Sequence, residues 1–170
     1  MFLDIETIPA GGDTVEIIKK LWEDSSKKSV ARNKAEPTNF EDYFRGTSLQ
    51  GEFGRIFCIC YCLDDKKIES LSGDEKEIIR KFWDIAKDSD LFIGHNIMDF
   101  DLRFIYKRSI ILGIRPTREL NFARYRSNPI FDTMREWEKW GGSISLHKVS
   151  LALGLSSPKE AGIDGSMVYD

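Results

Sequence analysis

The chain has 170 residues, of which 41% are hydrophobic and 31% are charged, so its length and composition indicate one soluble, globular domain. No apolar stretch approaches the roughly 18 residues of a membrane span, and charges interrupt the start where a signal peptide needs an apolar core. We therefore expect no membrane association and a cytoplasmic location. The formal net charge of −3 argues against a protein that coats nucleic acid non-specifically.

The first predicted strand, residues 1–8, carries two acidic residues in an otherwise apolar run. Because side chains alternate faces along a strand, Asp4 and Glu6 project to one side, roughly 6 to 7 Å apart. Leu3 and Ile5 project to the other side. Paired carboxylates favour a hard divalent metal such as Mg²⁺ or Mn²⁺. The alternative is that the two acids form the solvated side of an edge strand.

Residues 10–50 are polar and charged, and we interpret them as an insertion beside the first strand. One helix is predicted near the start of this segment, followed by an exposed, Lys- and Ser-rich loop over residues 25–34. Three aromatic residues further on either cap a pocket or form a small satellite core: Phe40, Tyr43 and Phe44.

Two strands, Arg55–Leu63 and Lys67–Leu71, are predicted to form an antiparallel hairpin. Cysteines occupy three alternate positions of the first strand, Cys58, Cys60 and Cys62. Their common face predicts burial by packing, because adjacent positions on one strand face do not suit a disulfide and the spacing lacks a zinc knuckle. A capping-box pattern over residues 72–75 then starts a helix, and residues 91–94 return to the sheet.

The next helix is predicted from apolar residues at helical spacing between Leu102 and Leu112, and it ends at Gly113. Asp101 lies one position off the apolar stripe, so we expect its carboxylate to lean toward the end of the neighbouring sheet. Asp99, at the start of the helix, is expected to act as an N-cap or first-turn residue.

A strongly basic segment follows over residues 103–126, where Glu119 is the one acidic residue and aromatic residues are interleaved with arginines and lysines. Cations for phosphates and rings for unstacked bases are typical of proteins that bind single-stranded nucleic acid. An ordinary solvated helix and loop is the alternative. A short strand at residues 130–131 and helical segments at 133–140 and 146–153 complete the predicted elements.

Two segments resemble motifs of the DEDD 3′–5′ exonucleases. Residues 2–7 are similar to the first motif, and residues 94–102 are similar to the second, Asn-x-x-x-Phe-Asp. The chain most resembles the exonucleases related to the proofreading domain of family B DNA polymerases. This resemblance and the order of the elements predict an α/β, ribonuclease H-like fold, with an antiparallel meander and parallel strands in one mixed sheet flanked by helices. We expect a single domain over residues 1–170.

The resemblance implies hydrolysis of phosphodiester bonds at single-stranded DNA or RNA 3′ ends with two divalent ions, Mg²⁺ or Mn²⁺. By this resemblance Asp4 would bind both ions, Glu6 the ion that activates water, and Asp101 the ion on the leaving-group side. Members of the family supply a fourth carboxylate from a late helix, in a Tyr-x-x-x-Asp or His-x-x-x-x-Asp motif. The C-terminal part contains neither pattern. We therefore expect the chain to stop before its last catalytic helix, to bind metal weakly, and to cleave slowly or not at all.

The resemblance also implies substrate contacts. Asn96 and Phe100 would shape the pocket for the terminal nucleotide, and Thr7 would offer its backbone N–H or hydroxyl to the 3′ end. The competing hypothesis is a catalytically inactive nucleic-acid-binding module of the same fold. The choice between DNA and RNA stays open, because it depends on contacts to the 2′-hydroxyl.

Overall fold

The structure, a computed structural model, describes residues 1–31, 38–64 and 66–157. Within these ranges, five strands form one sheet: β1 (Phe2–Ile8), β2 (Arg55–Cys62), β3 (Glu69–Ser72), β4 (Phe92–Gly94) and β5 (Ile130–Asp132). Their spatial order is β3-β2-β1-β4-β5. The β1–β2 and β2–β3 pairs are antiparallel, whereas the β1–β4 and β4–β5 pairs are parallel. This mixed sheet, flanked by helices, confirms the predicted α/β, ribonuclease H-like fold.

The helices of the described part connect these strands, and short 3-10 turns accompany them at Gly12–Thr14 and Gly46–Leu49. They are α1 (Val15–Ala31), α2 (Phe40–Arg45), α3 (Glu75–Ala86), α4 (Asp101–Ile111), α5 (Thr133–Glu138) and α6 (Leu146–Ala152). None of the helices in the described ranges combines the length and the apolar composition that crossing a membrane requires.

One face of β1 lies at the centre of the hydrophobic core. Leu3 and Ile5 are buried there beside Ile59 of β2. Apolar side chains of α3 and α4 belong to the same cluster: Ile78, Ile79, Phe82, Trp83, Leu102, Phe104 and Ile105. Burying an apolar side chain of this size stabilises the fold by about 1.5–3 kcal/mol relative to exposure. The core therefore fixes β1 firmly and holds the residues of its other face in place.

The other face of β1 is an open groove. Asp4 lies opposite Cys60 in the β1–β2 register, and Phe2 lies opposite Cys62. The thiols of Cys58, Cys60 and Cys62 are only partly buried, so the predicted full burial of this cysteine face is wrong. For Cys60 and Cys62 the reason is that they line, together with Asp4, a groove that is open to solvent.

One predicted loop and one predicted helix cap differ from the structure. Helix α1 continues to Ala31, so the predicted loop over residues 25–34 is wrong as far as that residue, and positions 32–34 lie outside the described residues. Helix α3 starts as predicted, but its N-cap is Asp74, whose side chain accepts a hydrogen bond from the Glu77 N–H. The Glu75 side chain instead accepts a hydrogen bond from the backbone N–H of Ile56 at 2.8 Å, which ties α3 to β2.

The segment that precedes β2 has its own small aromatic cluster. The Trp22 ring meets the Phe40 ring edge-on at 5.6 Å, and the Phe40 ring contacts the Phe44 ring at 6.0 Å between centroids. Of the two predicted uses of these aromatic residues, the satellite core is confirmed. The buried hydroxyl of Thr47 joins the segment to the end of β1, because it accepts a hydrogen bond from the Ala10 N–H at 3.0 Å.

Candidate active site

The first candidate residue, Asp4, is held by the central strand of the sheet. Its backbone pairs with Cys60 of β2, and its side chain stands on the groove face, where it remains open to solvent. Neighbouring protein atoms nevertheless desolvate part of the carboxylate, and this raises the pKa of Asp4 above its usual value. The carboxylate is thus accessible but less well hydrated than a surface acid.

The second candidate, Asp101, is the first residue of α4, and only 3% of its surface is exposed. Its Oδ1 accepts a hydrogen bond from the backbone N–H of Ile5 at 3.0 Å, across 96 positions of sequence. The carboxylate therefore leans toward the sheet, as predicted from its position beside the apolar stripe, but it contacts the middle of β1 rather than the end of the sheet. The contact places it next to Asp4, the residue that precedes Ile5 on the strand.

Burial and repulsion raise the pKa of Asp101 to about 7. Burial is the largest cause, and the negative charge of Asp4 comes next. The hydrogen bond from the Ile5 N–H acts in the opposite direction, and the charge of Asp132 adds a further small increase. A buried acid beside a second acid is stabilised by a proton or by a cation. The pair therefore has the charge and the oxygen donors that a hard divalent ion prefers.

The third candidate, Glu6, stands on the groove face opposite Cys58, immediately before a β-bulge. Its charge contributes to the raised pKa of Cys58, which reaches about 11 through burial first and the neighbouring Cys60 second. Glu6 is not among the causes of the Asp101 shift. Over the described ranges, no three or more His, Cys, Asp and Glu side chains are grouped so as to hold a metal ion. The structure thus brings Asp4 and Asp101 together and places Glu6 on the same strand face as Asp4, across from Cys58.

Asp132, a residue without a predicted role, holds the turn that leads into α4. It is 2% exposed and accepts hydrogen bonds from four backbone N–H groups. Two belong to the start of α5, Met134 at 3.0 Å and Arg135 at 3.3 Å, and two belong to the second-motif turn, Asn96 and Met98, both at 3.0 Å. Asp132 is therefore both the N-cap of α5 and the clamp of the turn that leads into α4. An aspartate directly after an apolar strand and before a helix is the sequence signal for such a role.

The predicted substrate residues lie on three segments of the chain: β1, the second-motif turn and the start of α4. Thr7 is half-buried on β1, just beyond the bulge, and pairs with Ile56. Asn96 adopts a left-handed backbone conformation with φ of 63°, and its N–H is used by the Asp132 clamp. Phe100 is half-buried, precedes α4, and packs its ring against Phe104 with centroids 5.7 Å apart.

Asp99 does not cap α4, because the N-cap position belongs to Phe100 and lacks a side-chain capping bond. The Asp99 carboxylate instead forms ion pairs with Arg103 of α4 and Arg135 of α5. The expectation of an N-cap was therefore wrong. Asp99 links the outer surfaces of two helices and leaves the position beside β1 to Asp101.

His95, the residue before Asn96 in the second-motif segment, is tied to the scaffold through both ring nitrogens. Its Nε2 lies 2.7 Å from the carbonyl oxygen of Ile144, and its Nδ1 lies 3.0 Å from the Thr133 hydroxyl. Because a carbonyl oxygen only accepts, Nε2 carries a proton and donates it. The Thr133 hydroxyl oxygen also lies 3.1 Å from the Gly94 carbonyl oxygen. His95 thus links β4 to α5 and to the segment before α6.

Comparison with known proteins identifies the family of the chain. No curated protein matches the chain. The family model for the exonuclease domain of DNA polymerase family B matches residues 51–140, more than half of the 170 residues. The matched segment contains Asp101 and Asp132, whereas β1 with Asp4 lies before it. The chain belongs to the family of DNA polymerase family B exonuclease domains.

Proposed function

We propose that the chain is a metal-dependent 3′–5′ exonuclease that removes nucleotides from single-stranded nucleic acid ends. The family gives the coarser part, a nuclease acting on nucleic acid. The observation that carries the finer part is the contact between the Asp101 carboxylate and the Ile5 N–H, which sets a buried acid beside Asp4. Two acids from distant parts of the chain are then available for one cluster of cations.

The proposal assigns Asp4 to both ions, Asp101 to the ion on the leaving-group side, and Glu6 to the ion beside the attacking water. Mg²⁺ or Mn²⁺ would supply charge neutralisation at the phosphate and lower the pKa of a water molecule. Asp4 and Asp101 fit this chemistry, because their hard oxygen atoms and their mutual repulsion both favour a divalent cation. Thr7, Asn96 and Phe100 are proposed to position the terminal nucleotide.

Separate measurements of binding and cleavage test this proposal. Calorimetric titration with Mn²⁺ should show binding that Asp4→Asn weakens strongly. A single-stranded oligonucleotide labelled at its 5′ end should be shortened slowly, one nucleotide at a time, because a fourth carboxylate is missing from the predicted ligands. Asp4→Asn should remove the resulting ladder while circular dichroism stays unchanged. Cleavage from the 5′ end, or full cleavage by the Asp4→Asn variant, would refute the proposed polarity or the proposed site.

A second candidate function is a binding module of the same fold without catalysis. The observation that favours it is that no group of three or more potential metal ligands is assembled in the part of the chain that the structure describes. This module would bind the same oligonucleotide with equal affinity in the presence of Mn²⁺ or of a chelator, and would leave it intact. Paired DNA and RNA oligonucleotides of one sequence would show which nucleic acid either form prefers.

A further inference from the structure

A long irregular loop, residues 113–129, connects the end of α4 to β5. It carries Arg115, Arg118, Arg124 and Arg126, against a single acidic residue, Glu119. Arg124 and Arg126 are both exposed, and no carboxylate of the described residues forms an ion pair with either. The loop therefore concentrates uncompensated positive charge on a protein whose formal net charge is −3.

Two aromatic contacts fix this loop, one to α4 and the other to Trp140 in the turn after α5. The Phe122 ring meets Tyr106 of α4 at 6.1 Å, and the Arg103 guanidinium lies over the Phe122 ring at 4.9 Å. Further along, the Tyr125 ring contacts Trp140 at 5.3 Å, with 59° between the ring planes. Tyr125 is nevertheless 75% exposed, so most of its ring is open to a flat ligand.

Arg103 and Arg135 add positive charge from α4 and α5 beside the loop. Both guanidinium groups share the one carboxylate of Asp99, so the three residues together keep a positive charge. Arg135 also lies over the Trp140 ring at 5.8 Å, and its Nε is buried without a hydrogen-bond partner among the described residues. We call the surface made by the exposed Arg103, Arg124, Tyr125 and Arg126 and the half-buried Arg135 and Trp140 the Tyr125 strip.

The Tyr125 strip and the candidate site share elements of the fold. Arg103 lies in the first turn of α4, which starts at Asp101. Arg135 belongs to α5, the helix that Asp132 caps, and its N–H donates one of the four hydrogen bonds that Asp132 accepts. The two helices that carry these arginines are therefore positioned by the same aspartates that form and support the site.

We propose that the Tyr125 strip binds the single-stranded part of the substrate beyond the terminal nucleotide, with a base against Tyr125 and phosphates on Arg124 and Arg126. This inference rests on the proposed function for the identity of the ligand. Aromatic rings stack on every base, and arginines bind phosphates without regard to sequence, so the strip would hold a strand of any sequence. Its contribution grows with the length of the strand and is absent for a dinucleotide.

Fluorescence anisotropy in the presence of a chelator tests the strip without any cleavage. We expect Tyr125→Ala to weaken the binding of a labelled twelve-nucleotide single strand about tenfold. The double change Arg124→Glu and Arg126→Glu should weaken it further and reduce the slope of log affinity against log salt by about 1.4, since two phosphate contacts are lost. Binding of a dinucleotide should be unchanged in both variants.

A matched control carries the same charge change elsewhere. Lys76 and Lys81 are exposed on α3, and the double change Lys76→Glu and Lys81→Glu should leave the affinity for the long strand within about twofold of the unmodified chain. Thermal unfolding of each variant shows that the fold is intact. Equal losses of affinity for the long strand in the control and in the strip variant would refute the proposed role of the strip.

The strip and the proposed function fail in different ways. Unchanged binding of the long strand by the Tyr125→Ala variant would overturn the strip, even if the unmodified chain trims DNA with Mn²⁺. The strip would also be refuted if the unmodified chain did not bind the long strand. It would be refuted as well if the variants lost as much affinity for the dinucleotide as for the long strand. Length-dependent weakening without any Mn²⁺-dependent trimming would support the strip and refute the exonuclease proposal.

Discussion

Two buried aspartates stand at equivalent places, each at a junction where a strand of the parallel half of the sheet leads into a helix. Asp132, between β5 and α5, accepts hydrogen bonds from four backbone N–H groups of neighbouring segments. Asp101, after β4 and at the start of α4, accepts one from a distant strand, at Ile5, and faces the charge of Asp4. Two equally buried aspartates therefore have different roles. Asp132 holds the scaffold together, whereas the scaffold compensates the negative charge of ionised Asp101 only in part, and its pKa is therefore raised.

The largest effect on stability should come from replacing Asp132, whose carboxylate accepts four hydrogen bonds. Asp132→Ala would leave several buried N–H groups without an acceptor and would uncap α5, so we expect a loss of about 3 kcal/mol or more in the free energy of unfolding. Urea unfolding followed by circular dichroism measures this loss. Asp132→Asn keeps an acceptor and should lose less, and a loss below about 1 kcal/mol for Asp132→Ala would contradict the clamp.

Replacing Asp101 should have the opposite effect and should increase the free energy of unfolding at neutral pH. In the metal-free protein Asp101 stays protonated up to a pKa of about 7, whereas in the unfolded chain it ionises near pH 4. The unfolded state therefore binds fewer protons between these values, and the free energy of unfolding should fall as pH rises from 4 to 7. Asp101→Asn removes the free-energy cost of ionising this buried acid. The variant should therefore be more stable than the unmodified chain at pH 7, by an amount on the order of a few kcal/mol.

Thermal unfolding at several pH values in a chelator measures this difference. The midpoints of the two proteins should be closest near pH 4 and separate toward pH 7. Added Mn²⁺ should raise the midpoint of the unmodified chain more than that of the variant, because binding to the native state stabilises it. A gap that narrows toward pH 7 would show that Asp101 is compensated after all.

The smallest effect should come from the third aspartate of this neighbourhood, Asp99, whose ion pairs are open to solvent. Asp99→Asn should cost less than about 1 kcal/mol of stability, as exposed pairs usually do. It should also tighten the binding of a long single strand roughly two- to threefold, because one negative charge leaves the Tyr125 strip. Weaker binding would mean that Asp99 is needed to hold Arg103 and Arg135 in position.

Much of the fold follows from local patterns in the sequence. Alternation in β1 predicts that Leu3 and Ile5 enter the core while Asp4 faces outward, and helical spacing in α4 predicts that Asp101 leans toward the sheet. These rules hold because they depend on side chains a few positions apart. The partners of Asp132 are less accessible to such reasoning, because its hydrogen bonds reach into a turn more than thirty positions away.

The β-bulge after Glu6 was also beyond local pattern. The β1–β2 register shifts between Glu6 and Thr7, and such a bulge increases the local twist of a strand. A period of two predicts the shared face of Asp4 and Glu6, which the regular pairing up to Glu6 preserves, but it does not encode the shift that moves Thr7 to pair with Ile56. The continuation of α1 through a Lys- and Ser-rich stretch was missed for a related reason, since composition alone does not mark where a helix already under way will end.

The cysteines along the groove have a practical consequence. Cys60 stands directly across the strand pair from Asp4, and all three thiols are partly accessible. With Cys58 and Cys62 changed to serine, a nitroxide label on Cys60 would report the arrival of a paramagnetic ion at the acids by the broadening of its resonance. Spectroscopy at this natural attachment point would thus locate Mn²⁺ directly, without relying on turnover.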